Sequence, residues 1–298
     1  MGKVKNQHYV PRFYLKRFSV NNNNIFVYDK IQKKSFRSSI KSVSSTKFFY
    51  DWKELDDIVG TQFIEEVFSV LEGEVSCDIR DLLDRVDGNE FIGFTYKDRT
   101  SLAEFIWYQM IRNQEGRIIG RQLVERMEKE LRQKGASEEL LKEYGLLSND
   151  YNDKIDHLKF ILSFDKMEDL IRSLCKRIWI LMKNETNYNF FTSDNPVARR
   201  THWEIHHLAY ELYYPLTPKI GINILYRDTF KDLEGWDNRI MLIKDKDVVK
   251  HYNHLQIIQS TRQIYSIDSN FGFVEKILKD NPEVGEVNRP RFGKGFGS

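Results

Sequence analysis

The chain has 298 residues, 41% of them hydrophobic and 13% aromatic, with 46 Lys and Arg against 44 Asp and Glu, for a formal charge of +2. That apolar mass excludes wholesale disorder, and 6 Pro with 16 Gly leave little room for long low-complexity linkers. A near-neutral charge gives no global electrostatic case for nucleic-acid binding, although a local patch stays open.

Residues 1–60 lean towards strand. Segments 24–29 and 34–37 read as a hairpin with a polar turn at Lys30 to Lys33, approached through the turn-rich run Asn21 to Asn24. Residues 61–176 read as helices. In 61–86 the apolar positions Phe63, Val67, Val70, Leu71, Val75, Ile79, Leu82, Leu83 and Val86 follow helical spacing, with Thr61 as an imperfect cap. Further helices are predicted over 97–113, over 118–135 with Gly135 as the stop, and from Ser137 to Tyr144; after a loop at 146–153, helix resumes to Cys175. Residues 177–270 lean towards strand again, at 177–182, 189–192, 212–216, 220–226, 240–243 and 263–267, with one helix over 245–260. The stretch 288–298 is basic and glycine-rich and reads as a mobile tail.

Strands, then helices, then strands predict one α+β unit over 1–298. Its mixed or antiparallel sheet is built from the N- and C-terminal segments, with a central multi-helix layer. Cys77 and Cys175 lie far apart in helical segments and read as two buried thiols. No CxxC or Cys/His zinc spacing is present. The opening residues lack an apolar core after their lysines, so no signal peptide is expected there. No apolar run approaches the roughly 20 residues that span a bilayer. A cytoplasmic protein without a membrane partner is expected.

Chain starts are normally polar and frayed. Here His8-Tyr9-Val10-Pro11-Arg12-Phe13-Tyr14-Leu15 is dense in apolar and aromatic groups, which implies a docked N-terminus. Pro11 excludes helix just before it, and Tyr14, Leu15 and Phe18 then have helical spacing. The His-Tyr-Val-Pro block, with Thr192-Ser193-Asp194-Asn195-Pro196 and Pro215-Leu216-Thr217-Pro218, resembles the bacterial domain-of-unknown-function 4238 (DUF4238) family. Its pattern also has a helix rich in glutamates and a helix with Gln and Arg. The resemblance covers about residues 6–267, with Thr217 where Ser is commoner. It implies no assigned activity, and only a loose association with bacterial defence or toxin-type roles.

Asp and Asn suit the turn at 193–196, which reads either as a structural Asx turn or as a carboxylate presented at a strand end. From there Asp194 would orient His8, bind a metal or act as a base. Gln109 and Arg112 lie three apart on one helical face and are either satisfied core contacts or site residues, with Arg112 as an anion clamp. Glu65 and Glu72, seven apart with Glu66 nearby, are a solvated stripe or a carboxylate pair for a divalent cation. His202, His206 and His207, like His251 and His254, lack the Glu of a zinc-hydrolase motif and read as chance clusters. Arg200 with His206 also fits a loose ribonuclease-like spacing. Asn253, Gln256 and Gln259 recur at helical spacing as ligand contacts or as solvated polar groups. Phosphate loops, dinucleotide fingerprints and the hydrolase nucleophile elbow are absent.

Two functional expectations follow. The first is a phosphodiester-cleaving nuclease, a defence or toxin-type effector acting on RNA or DNA. His8 is its general acid or base, Asp194 its orienter or a metal ligand, and Arg12 and Arg112 its phosphate clamps; Gln109, Ser193, Asn195 and Asn253 bind. A divalent metal is compatible with this chemistry, but no ligand motif specifies one. The second is a non-catalytic sensor of a small anionic ligand or a protein partner, using the same residues. A third, purely structural reading joins the N-terminus to the sheet through the two motifs.

Overall fold

A computed structural model describes residues 4–163, 167–200 and 210–291. The N-terminal segment holds β1 (Asn6–His8), α1 (Arg12–Lys16), the hairpin β2 (Asn24–Asp29) and β3 (Lys34–Ser39), and β4 (Ser45–Lys47), which pairs antiparallel with β1. The helical layer follows as α2 (Lys53–Val59), α3 (Phe63–Asp87), α4 (Tyr96–Ile111), α5 (Gln114–Gln133), α6 (Glu138–Glu143), α7 (Asp153–Ile161) and α8 (Met167–Cys175). The C-terminal segment holds β5 (Ile178–Asn184), β6 (Thr192–Ser193), β7 (Ala198–Arg200), β8 (Glu211–Pro215), β9 (Ile220–Leu225), β10 (Arg239–Ile243), α9 (Lys246–Gln259), β11 (Gln263–Ser266) and α10 (Gly272–Asp280).

Local chemistry fixes the helix starts. Thr95 and Asp98 form a reciprocal capping box on α4, and Asn113, Asn152 and Asp245 cap α5, α7 and α9. Thr61 does not cap α3. Gln62 precedes that helix in the left-handed region (φ 61°), and its amide instead brackets the backbone N–H and carbonyl of Val4. Along α3, Leu71, Val75, Ile79, Leu82, Leu83 and Val86 are buried as the spacing predicts, whereas Val70 is exposed and Phe68, outside the predicted series, is buried.

The α+β expectation holds, with two main sheets in place of one. The antiparallel sheet β3-β2-β11-β6 unites the chain's N- and C-terminal segments. The second sheet, β10-β5-β9-β8-β7, is mixed, because β10 runs parallel to β5. Side chains of β5 alternate across it. Trp179 and Leu181 enter the cluster that contains α3 and α4, while Ile178, Ile180 and Met182 pack with Val249, Tyr252 and Leu255 of α9. Each large apolar side chain so buried contributes about 1.5–3 kcal/mol.

Other expectations need correction. Strand over 189–192 shrinks to Thr192–Ser193, because Asn253 takes the Phe191 N–H from any strand partner. Cys77 is exposed and Cys175 half-buried. Lys30 lies in the hairpin turn as read, but its side chain is wholly buried. Arg289 and Arg291, assigned to a mobile tail, are also buried, and Arg291 is ion-paired to Glu115. His202, His206 and His207, and with them the Arg200–His206 spacing, lie outside the described residues. Among the described residues no helix is long and apolar enough to cross a membrane.

Candidate functional site

Three sequence motifs meet at one tyrosine. The buried Tyr14 hydroxyl donates to the Pro215 carbonyl at 2.7 Å and pairs with Thr192 Oγ1 at 2.7 Å. Its ring stacks on Tyr214 at 5.1 Å. The helix after His-Tyr-Val-Pro, the strand before Asp194 and the turn at Pro215 are thereby tied together. Thr217 keeps the role of a turn hydroxyl, accepting from the N–H groups of Lys219 and Ile220.

The turn at 193–196 is closed by its neighbours. The buried Asp194 carboxylate accepts from the N–H groups of Thr261, Arg262 and Gln263 at 2.9, 2.7 and 2.9 Å. Ser193 Oγ lies 2.8 Å from Gln256 Oε1, and Gln256 Nε2 donates to Pro196 O at 2.7 Å. Asn195 Nδ2 donates to Gln259 O, and its Oδ1 accepts from Asn113. Asn253 brackets the backbone of Phe191 and Asn189, and Gln259 brackets that of Arg199. The polar stripe of α9 thus zips an extended segment that has no full strand partner. Lys30 Nζ donates to the carbonyls of Ile257 and Ser260, where the end of α9 favours a cation. Burial, then Arg289, push Lys30 down to about 7. Burial raises Asp194, against the Gln263 N–H and the Lys30 charge.

Arg112 performs a clamp of a different kind. Wholly buried, it donates from Nε to Tyr9 O at 3.1 Å and from Nη2 to His8 O at 3.0 Å and Glu72 Oε1 at 2.6 Å. Its guanidinium lies over the Phe68 ring at 4.4 Å. It therefore grips the backbone of the N-terminal motif. The Asp194 charge acts on the phenol of Tyr9, while those of Arg12 and Arg112 act on the His8 ring. His8 and Arg112 come together as expected. Asp194 spends its oxygens on the α9–β11 junction, which leaves it a poor orienter for His8.

Several polar atoms around Arg112 have no partner among the described residues: both side-chain polar atoms of Gln109, Arg112 Nη1, His8 Nε2 and Arg17 Nε. Gln109 is wholly buried and shares a face of α4 with Arg112 and Phe105, whose ring touches Phe13 and Tyr214. The Tyr214 hydroxyl feels the charges of Arg17, Arg112 and Glu72. Burial, then Arg12, push His8 down to about 4, so the ring is neutral at pH 7. Burial lifts Glu65 to about 7; Arg112 opposes that shift, and Glu72 and Asp51 add to it. Arg12 is exposed at the edge of this cluster.

Sequence reasoning found His8, Arg12, Gln109 and Arg112 but gave Glu65 and Glu72 no place beside them. Their seven-residue spacing put them on one face, and only the fold sets that face against Arg112. Arg17 lay inside the N-terminal block and was passed over. Glu72 is neutralised by Arg112, which argues against a divalent cation held by Glu65 and Glu72. Among the described residues no three His, Cys, Asp or Glu side chains gather as a metal set, and burial lowers both His251 and His254.

No curated protein and no solved structure matches the chain. The family profile described as Protein of unknown function (DUF4238) matches residues 6–270, a span that contains the clamp, the closed turn and the Tyr14 junction. The chain belongs to the DUF4238 family.

Proposed function

We propose that this protein is a cytoplasmic binding module for a small anionic ligand, held by Gln109, Arg112, His8, Arg12 and Arg17. The observation that carries this reading is Gln109, a buried amide whose Oε1 and Nε2, like Arg112 Nη1 three residues on, lack a partner among the described residues. A buried polar group left unsatisfied costs roughly 1–3 kcal/mol. Natural proteins keep few of them, and a ligand offering both acceptors and a donor removes the cost. Charge agrees with an anion: Arg12, Arg17 and Arg112 outnumber Glu72, and Glu65, at about 7, is partly neutral near physiological pH. The test is thermal unfolding with inorganic pyrophosphate and with a mononucleotide. Wild type gains stability, and Gln109→Leu folds but does not respond. An unchanged response in Gln109→Leu sinks the reading.

One observation favours a second reading, a nuclease. A carboxyl at about 7 and a neutral imidazole, both under the charge of Arg112, would supply an acid and a base for phosphodiester cleavage, with Arg12 and Arg112 as clamps. Glu65 replaces Asp194 as the catalytic carboxyl in this version. RNA or DNA would then be the substrate, in a defence or toxin-type role. Incubation with each nucleic acid, with Mg²⁺, Mn²⁺ or neither, decides it: His8→Ala and Glu65→Gln must abolish cleavage, and wild type that leaves both intact eliminates it.

A further inference from the structure

We propose a second ligand site, separate from the first: a cavity between α4, α5 and α7 that takes a small monoanionic amphiphile. Its apolar body would lie among Trp107, Met110, Ile119 and Leu123, and its acid group on Arg199. The cavity has a volume of about 300 Å³, at the lower end of the range that holds small organic ligands. Leu123 and Phe160 line it and are 43% and 53% exposed, which marks its mouth.

Arg199 sets the ligand's charge. Its backbone is fixed by Gln259, which accepts from its N–H at 2.9 Å and donates to its carbonyl at 2.7 Å. Among the described residues its guanidinium has no hydrogen-bond or ion-pair partner. Burial lowers its proton affinity, and Glu115 is the carboxylate that opposes this. Glu115, however, is already taken by Arg291 at 2.5 and 2.9 Å and by Thr261 at 2.9 Å. Lys30, Arg289 and Arg291 also surround Glu115, so cations are in excess at this end.

Two other polar walls, His157 and Asp156, are spoken for. His157 is neutral, since burial pushes it down to about 4, and its Nε2 is 2.6 Å from the Ile111 carbonyl. Asp156 pairs with Lys159 and accepts from the Asn152 N–H. Gly120 makes room for Tyr151: a Cβ there would lie 2.6 Å from the tyrosine hydroxyl oxygen. An apolar chamber with one desolvated guanidinium selects an acid with a hydrocarbon or aromatic body over a neutral analogue.

Calorimetric titration of the full chain with decanoate, decanol and vesicles of anionic phospholipid tests this. Decanoate should bind one to one, at least about tenfold more tightly than decanol. Arg199→Gln should weaken decanoate about tenfold and leave decanol unchanged, while Leu123→Trp, at the mouth, should weaken both. Equal binding of decanoate by wild type and Arg199→Gln, or no binding at millimolar concentration, overturns the proposal. Binding to vesicles without binding to monomeric decanoate overturns it too, since the occupant would then be a lipid surface. Should Arg199→Gln fail to fold, the wild-type preference for decanoate over decanol and the weaker binding of both by Leu123→Trp decide the matter.

Discussion

The two motif regions use similar residues to opposite ends. At the 193–196 turn the polar side chains of Ser193, Asp194, Asn195, Asn253, Gln256 and Gln259 all have partners, most of them backbone groups of a segment with little strand pairing. Around Arg112 the backbone grip is just as firm, yet Gln109 and one arginine nitrogen are left over. A buried polar network with every member paired rigidifies a fold, whereas leftover donors and acceptors mark a place built for something else. The residues of the two regions are therefore not all of one kind: some are fully paired, and some keep polar atoms without a partner among the described residues.

The strongest way to break this contrast is Asp194→Ala. It orphans three N–H groups and leaves the Lys30 charge without its carboxylate, so unfolding free energy in urea should fall by about 3–5 kcal/mol. A loss below about 1 kcal/mol would remove Asp194 from the clasp. The same change of Gln to Leu in each region should then give opposite signs. Gln256→Leu strips partners from Ser193 and Pro196 and should cost about 1–3 kcal/mol, whereas Gln109→Leu removes an unsatisfied amide and should stabilise by a similar amount.

Acidity sharpens the contrast next. Lys30 has its folded pKa depressed to about 7, so between about 7 and its ordinary value of 10.5 the unfolded chain binds more protons, and stability should rise with pH there. Lys30→Met should flatten that rise. Glu65 is raised from 4.5 to about 7, so its contribution is present below 4.5 and is lost as pH climbs through 7. Urea denaturation of Glu65→Gln across pH 4 to 8 should lack that slope; an unchanged curve would mean that Glu65 titrates normally. The smallest effect belongs to exposed Arg12: Arg12→Ala should leave the denaturation midpoint unmoved while reducing the response to pyrophosphate.

Much of the fold was legible because it is local. Helical spacing found α3, α4 and α9, and the hairpin β2–β3 followed from alternation and its polar turn. The i, i+3 series Asn253, Gln256 and Gln259 also stood out, though its use as a backbone zipper did not. Roles that depend on distant chain were not legible: Lys30 sits in its turn but serves the end of α9, and Arg291 serves Glu115 on α5. Short β1, β4 and β7 carry too few residues for a pattern, and their pairing partners define them. Within the site, Gln109 and Arg112 were visible as polar groups in an apolar helix. Which of their atoms lack partners is decided only when α1, α3 and β8 arrive.

The pairing of β2 with β11 sets Asp29 against Gln263. On the ribosome, at roughly 5–20 residues per second, the N-terminal hairpin emerges about ten to fifty seconds before its neighbour strand exists. During that interval β2 presents an unpaired edge, and Lys30 has no helix end to enter. The exposed, serine-rich β3 shields only the far side. Nascent chains stalled before residue 263 should thus be the most sensitive to proteases and the most dependent on chaperones, and release of β11 should end that dependence at one step.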